Sequence, residues 1–391
     1  MEIKEQIAQL EEELIALRRD FHMHPELGFQ EFRTAETIAR YLKECGLEVR
    51  TNVAQTGVVG LLRGAKPGRT VMLRADMDAL PVQEQNDVPY KSVEPGKMHA
   101  CGHDGHIAML LVAAKILASR KDELKGNVKF VFQPNEEDAG ALKMIEEGVL
   151  ENPRVDAVFG VHLWSPLPSG KIAVSEGAIM AGQYNFRLVV KGKGGHSGSP
   201  HTAIDPIITA ANIIQTVQTI QTREIDVLKP TLIIFGKISG GSAPNIIPDK
   251  VELLGSMRTL YDSCDDLAER PRRRFERIVA SVCEAYQASY ELEFMLSSST
   301  LINNRALIGL VKDVAGRIVQ PENISSYVCM AGEDFAEFSN EVPGVFTFVG
   351  TGNPEKGTAY PHHHPRFDLD EAMLKVGVEM HVRTALAYLA E

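Results

Sequence analysis

The sequence predicts an α/β fold: a larger domain with a central mixed sheet flanked by helices, interrupted by a smaller α+β, ferredoxin-like insert. Three observations carry that reading. Short apolar runs alternate with segments of helical period up to about His162. From Asn185 to Met295 the order becomes strand, helix, strand, strand, helix, strand, which is the split βαβ pattern. A length of 391 residues suits two domains better than one. The expected division gives residues 1–181 and 295–391 to the larger domain and 182–294 to the insert.

Each element has a local cause. Ile7, Leu10, Leu14, Leu17 and Phe21 recur at helical spacing between charged residues, so Ile3 to His22 is expected as one amphipathic helix. A second helix covers Glu31 to Cys45, with Gly46 placed to stop it. Val58 to Leu62 and Val71 to Arg74 read as strands joined by a turn around Pro67-Gly68. Residues 104–119 form a largely buried helix, because Ile107 to Ala118 is almost wholly apolar. Val128 to Gln133 and Ala157 to His162 are short buried strands. In the insert, Asn185 to Lys191 alternates polar and apolar residues, Gly192 to Gly195 turns the chain, and Pro206 to Thr222 is a helix. Thr231 to Ile238 and Lys250 to Arg258 are strands, residues 267–287 a helix, and Tyr290 to Met295 the last strand.

Composition excludes several classes. A formal net charge of −11 opposes a nucleic-acid partner, which needs clustered Lys and Arg. The basic run Arg270 to Arg274 is broken by Pro271 and lies among Asp265, Asp266, Glu269 and Glu276, so it reads as a solvated face. No apolar run approaches the roughly 18 residues of a membrane span, and the first residues carry no secretory pattern. A cytoplasmic location without a membrane partner is expected. Cys45, Cys101, Cys264, Cys283 and Cys329 are too scattered for a disulfide framework and are expected to be reduced.

Chemistry-bearing side chains collect in four places. Cys101-Gly102-His103-Asp104-Gly105-His106 sets a thiol and two imidazoles just before a helix. Sulfur plus nitrogen donors suit zinc and similar ions, while a buried cysteine beside a capping loop explains the stretch equally well. Gln133-Pro134-Asn135-Glu136-Glu137-Asp138 follows a buried strand. Acids at that end of an α/β strand either form a solvated loop or answer to a cation, and it is the end where open sheets bind ligands. His162 ends another apolar strand, where a lone histidine is more often structural than ligating. Tyr360 to Phe367 brings His362, His363 and His364 into one loop. Alone, each has a bland explanation; four such stretches in one domain favour a metal centre.

Across Arg18–Leu27, Leu73–Pro81, Met98–His106, Gln133–Glu137, Gly160–Trp164, Gly194–Ser197, Asn245–Asp249, Gly332–Phe335 and His363–Phe367, the chain resembles the M20 metallopeptidase family. The resemblance is to its branch of aminoacylases, hippurate hydrolases and indole-acetyl-amino-acid hydrolases. It implies two divalent metal ions (zinc, manganese, cobalt or nickel) held by Cys101, His103, Glu137, His162 and His363. Cys101 is the implied bridging ligand, where other branches use a carboxylate. His363 is chosen among the three histidines because the family ligand lies two positions before the proline. Glu136 is the implied general base, and His196 the group that stabilises the oxyanion, often in a neighbouring subunit. Asn245 and Arg258 match positions that contact substrate in relatives. Asp78 either orients a metal-site group or is a structural buried acid, and Gly332–Phe335 is support near the site. Two departures adjoin the base: Asn135 stands where a small residue is usual, and Asp138 where a glycine is usual.

The implied function is metal-dependent hydrolysis of the amide bond of small N-acyl amino acids, acetyl, benzoyl or similar. It is carried out by a homodimer or higher homo-oligomer whose insert serves as lid and dimerisation domain. One carboxylate of the Glu136–Glu137 pair goes to the metal while its neighbour remains to take a proton. A di- or aminopeptidase of the same family is the alternative among enzymes, and a catalytically silent metal-dependent binding protein is the alternative outside them. The Cys101 ligand disfavours the first, and the intact Glu136 the second.

Overall fold

In the computed structural model, which describes residues 2–261 and 269–390, the larger unit comprises Met1–Gly177, Ile302–Val328 and Asp334–Glu391. Its sheet has eight strands, in the order Glu48–Val53, Gly57–Arg63, Lys125–Gln133, Lys66–Asp76, Ala157–Pro168, Gly344–Gly352, Ile172–Ala173 and Ile324–Ser325. The four strands from Lys125–Gln133 to Gly344–Gly352 run parallel, and the two on the Glu48–Val53 side are antiparallel. Parallel strands must be covered on both faces, which is why Val71 to Asp76 and Ala157 to Val161 are buried continuously rather than alternately.

Helix His103–Ser119 is the centre of that cover. Every residue from Ile107 to Ala114 is fully buried, and the helix packs on Glu11–Met23 and Leu374–Ala390. Gly102, just before it, has a φ of 89°, a left-handed conformation that any side chain would strain. The turn it makes sets Cys101 before the helix and His103 in its first position.

Two expectations fail here for local reasons. The single helix over Ile3 to His22 is two, Ile3–Gln9 and Glu11–Met23, because Leu10 leaves helical geometry at φ −103° and ψ 7°. Ile3, Ile7, Leu14 and Phe21 are nevertheless all buried, so the apolar period survives the break. Pro67-Gly68 lies inside Lys66–Asp76 rather than in a turn, and Lys125–Gln133 separates the two strands expected as neighbours.

The second unit, Ala178–Leu301 with Cys329–Glu333, has its own core. Its sheet runs Thr231–Gly240, Lys250–Thr259, Gly182–Lys191, Ser289–Ser298, all antiparallel. The fourth strand in sequence lies beside the first, the first beside the third, and the third beside the second, which is the ferredoxin-like arrangement. Helices Pro206–Thr219 and Glu269–Ala285 share a core of Phe186, Leu188, Ile213, Val217, Phe275 and Val279. Asp205 caps the first by accepting from the Ile207 N–H, and the stretch expected to run on to Thr222 widens into a π turn at Ile220–Glu224. Cys264, Asp265, Asp266 and the side chains of Glu269 and Arg270 lie outside the described residues. In the rest of the basic run, Arg274 donates to the Glu224 carbonyl, and Arg277 pairs with the Glu224 carboxylate at 2.7 Å. No helix among the described residues is long and apolar enough to cross a membrane.

A buried polar network locks the first helices to the rest of the larger unit. Arg18 donates to Asp104 at 2.8 Å and Asp368 at 2.7 Å. His22 sits between Asp104, 2.7 Å from Nδ1, and Glu84, 3.2 Å from Nε2. Burial and Arg18 push His22 down, but Asp104 and Glu84 outweigh them and raise it to about 9. The stability it adds is therefore complete below its ordinary value of 6.5 and lost as pH rises through about 9. Denaturant midpoints should fall across that window, and His22→Gln should flatten the slope. An unchanged slope in the variant would trace the pH dependence to another group.

Candidate metal centre

The carboxyl ends of the central parallel strands hold the site. Asp76 and Gln133 end neighbouring strands in register, the turn Glu136–Asp138 follows Gln133, and His162 lies opposite Phe348 in Ala157–Pro168. The C-terminal loop reaches the same place through the His363 N–H, which donates to the Ala100 carbonyl at 2.8 Å.

Two sets of donor atoms that share Cys101 converge there. Cys101, His103 and Glu137 form one, and Cys101, His162 and His362 the other, with all atoms of each set within 4.8 Å of one another. Cys101 belongs to both, its Sγ 3.8 Å from His162 Nε2. Two of the rings are oriented through their other nitrogen: His103 Nδ1 donates to the Asp78 carbonyl at 2.9 Å and His162 Nδ1 to the Leu163 carbonyl at 2.8 Å. These partners assign the tautomers and leave each Nε2 lone pair facing the centre. His106 also lies among these rings but is fully engaged. Its Nδ1 donates to Asp76 at 2.6 Å, and its Nε2 accepts the Leu163 N–H at 2.9 Å.

The donors fit a divalent cation. His103 Nε2 and Glu137 Oε1 are buried without a hydrogen-bond partner, although His363 Nε2 lies 3.1 Å from Glu137 Oε1, off the line of a bond. Each such atom costs about 1–3 kcal/mol when left so. Burial, then Glu137, hold the Cys101 thiol above its ordinary value, so its ligating thiolate needs a cation beside it. Burial likewise drives His162 well below its ordinary value, leaving the neutral ring that can ligate. Sulfur, imidazole and carboxylate together suit zinc-like ions.

Glu136 and Asp78 complete the surroundings. The Glu136 side chain is only 9% exposed, with Oε1 accepting the Asp334 N–H at 3.4 Å and Oε2 4.0 Å from His103 Nε2. Asp78 Oδ2 accepts the Glu137 N–H at 3.1 Å, while its Oδ1 is 3.3 Å from His103 Nδ1. One buried acid thus faces two of the converging residues.

At two stretches that the sequence had singled out, the structure adds detail. His362, rather than His363, is the C-terminal member of the second set; its ring packs 4.2 Å from Trp164 and its Nε2 donates to the Leu163 carbonyl at 3.1 Å. His363 has a φ of 65°, a turn that three consecutive histidines do not advertise. Asp334 accepts from Arg74 at 3.1 Å, from Gln133 Nε2 at 2.7 Å and from the Ala141 N–H at 2.8 Å. Its motif was the only signal.

Within the second unit, His196 is exposed in the two-residue strand Gly195–His196, paired with Ile246–Ile247. Its Nδ1 accepts the Gly198 N–H at 2.9 Å. His196 and Asn245 line an open cleft of about 940 Å³. The structure does not bring Arg258 to that cleft; Arg258 is half-buried and donates to the Met330 carbonyl at 2.7 Å.

A sequence model described as peptidase family M20/M25/M40 matches residues 72–387. The chain belongs to that family. It is 41% identical to thermostable carboxypeptidase 1 of Saccharolobus solfataricus, over 99% of this chain and 98% of the relative. It is 38% identical to the N-acetyl-L-cysteine deacetylase of Bacillus subtilis, over 94% and 86% of the two chains. Among solved structures, the Bacillus subtilis YXEP protein, titled a dinuclear metal binding peptidase from the M20 family, superposes with a TM-score of 0.83. That pair is 35% identical over 98% of this chain and 99% of the other. Family membership makes the chain a hydrolase.

Stripping divalent ions with a chelator should lower the thermal midpoint, and restoring zinc or manganese should raise it. Binding at 100 times Kd adds about 2.7 kcal/mol. A midpoint indifferent to both treatments would mean that these donors hold no metal.

Proposed function

We propose that this M20 member hydrolyses the amide bond of small N-acyl amino acids, releasing a carboxylic acid and a free amino acid. Two divalent ions would be held by Cys101, His103, Glu137, His162 and His363, with Cys101 shared. The observation that carries the proposal is the convergence of two donor sets on one thiol, beside a carboxylate, Glu136, that belongs to neither. The similar deacetylase supports the substrate class, and the similar dinuclear peptidase supports the metal count. The contact of His363 with Glu137 supports His363 over His362, whose Nε2 is committed to the Leu163 carbonyl.

The bound ions would polarise the acyl carbonyl and acidify the attacking water. Glu136 takes the proton of that water and returns it to the leaving nitrogen. Asp78 fixes His103 and the Glu137 backbone together, so that the base and the adjacent ligand keep their spacing. His196 accepts a backbone N–H at Nδ1, which places its own proton on Nε2, the form that donates to an oxyanion. Asn245 lines the same cleft and would contact substrate. Arg258 would do so by exchanging the Met330 carbonyl for a substrate carboxylate.

The insert, residues 182–294, is proposed as lid and dimerisation domain. Its edge strand Thr231–Gly240 exposes Leu232 and Ile234 on one face, apolar surface suited to a second copy. Unpaired thiols at Cys45, Cys101, Cys283 and Cys329 support a reducing, cytoplasmic setting. The similar carboxypeptidase favours a second reading, in which the acyl group is itself a peptide. A panel of N-acetyl, N-benzoyl and peptidyl amino acids, run on metal-stripped enzyme with each ion restored in turn, separates the two. No turnover of any acyl amino acid with any ion would refute the proposal.

The two neighbouring carboxylates should separate cleanly. Glu136→Gln should keep metal and substrate binding while kcat falls about 10²–10⁴-fold. Glu137→Gln should lose metal, because an anionic ligand is gone. Swapped phenotypes, read by kinetics and metal analysis, would put the assignment one residue out of register.

Sedimentation should give a homodimer or larger assembly, and Leu232→Lys with Ile234→Lys should dissociate it and reduce activity. A fully active wild-type monomer would show that His196 does not act across subunits.

A further inference from the structure

We propose that Glu31 is a positioning residue for the turn that carries Glu136 and Glu137, acting through the backbone N–H of Asn135. The proposal rests on the assignment of those two carboxylates as base and metal ligand. Glu31 precedes helix Phe32–Glu44, far from the turn in sequence, and is 0% exposed. Its Oε1 accepts the Asn135 N–H at 3.0 Å, and its Oε2 accepts the Thr56 hydroxyl at 2.6 Å. Among the described residues no lysine or arginine pairs with it. A carboxyl group is thus buried for one backbone amide and one hydroxyl.

The amide it holds belongs to a strained residue. Asn135 stands at φ 54° and ψ 46°, and Ala139 at φ 61° and ψ 53°, with the short turn Glu136–Asp138 between them. Left-handed residues other than glycine are held by their surroundings, and these two bracket the carboxylates. Asn135 Nδ2 donates to the Asp138 carbonyl at 2.7 Å, and the Asn135 carbonyl accepts the Gly140 N–H at 2.8 Å. The two departures from the family pattern are therefore joined to each other. Asparagine is among the few side chains that tolerate the left-handed region, and here it closes the turn as well. Below it lies Gly28, where a Cβ would stand 1.9 Å from Asn135 Oδ1. Gly28 and Glu31 together form the floor on which Asn135 rests.

The downstream end is held the same way, by Asp334 accepting the Ala141 N–H at 2.8 Å. Two buried carboxyls from distant segments thus clamp the turn at Asn135 and Ala141, with Glu136 and Glu137 between the clamps. Burial raises Glu31 to about 7, and either protonation state can accept the Asn135 N–H. An amide oxygen should therefore replace it.

The test compares Glu31→Gln, which keeps an acceptor for Asn135, with Glu31→Leu, which does not. Three readouts are taken: kcat and KM on an N-acetyl amino acid, retained metal by mass spectrometry, and hydrogen exchange of a peptide spanning 133–141 in metal-free protein. Glu31→Leu should lower kcat about 10- to 100-fold with KM changed less than about threefold, since small misplacements of a reacting group cost that much. It should also lose metal and exchange faster across 133–141, with exchange in helix His103–Ser119 unchanged. Glu31→Gln should match wild type on all three. Unchanged kcat and unchanged exchange in Glu31→Leu would overturn the proposal, as would equal damage in Glu31→Gln. Should Glu31→Leu not fold, Glu31→Asp, too short to reach the Asn135 N–H, takes its place with the same expectations. Faster exchange at 133–141 beside a fully active Glu136→Gln would sustain the clamp and refute the base assignment instead.

Discussion

The site depends on one buried guanidinium. Arg74, 2% exposed near the end of a central strand, donates to Gln133 at 2.8 Å, to Asp76 at 2.7 Å and to Asp334 at 3.1 Å. Asp76 holds His106, which in turn holds the Leu163 N–H beside His162. Asp334 holds Ala141 and reaches Glu136. Asp76 lies well below the usual carboxylate range because His103, His106 and Arg74 outweigh its desolvation. Removing one member of such a buried set typically costs about 3–5 kcal/mol, since the partners keep their charge without compensation. The parallel register that ends Lys66–Asp76 and Lys125–Gln133 at one level makes the arrangement possible.

The donors themselves are aimed by the main chain. His103 and His162 are turned by bonds to main-chain carbonyls. The centre is thus set by backbone positions in strands and helix, where rigidity is greatest. The exception is the C-terminal loop, whose His363 approaches through a left-handed residue and is half exposed.

Much of this was legible in the sequence, and what was not has common causes. Buried parallel strands announce themselves as continuous apolar runs, so Val128–Gln133 and Ala157–His162 were readable. Their neighbours were not, because Lys125–Gln133 slips between two strands that precede it in the chain. Residue type pointed to the stretches around Cys101, Glu136, His162 and His363 as a metal centre, and the family resemblance named Cys101, His103, Glu137 and His162 as ligands. The choice between His362 and His363 turns on a positive φ at a residue without glycine's freedom, which no periodicity encodes. Asn135 was visible as an oddity, but its partner Glu31 lies 104 positions upstream, beyond the reach of local pattern.

The chain also has an order in which it can be completed. The insert draws all four of its strands from one contiguous stretch, Gly182 to Ser298. The larger sheet cannot close until Gly344–Gly352 slides between Ala157–Pro168 and Ile172–Ala173. On the ribosome, therefore, every nascent chain shorter than that carries an open hydrogen-bonding edge on Ala157–Pro168, the strand that bears His162. Synthesis of Gly344–Gly352 converts a sticky, half-built sheet into one in which both flanks of Ala157–Pro168 are paired, and shielding that edge in the interval falls to whatever meets the emerging chain.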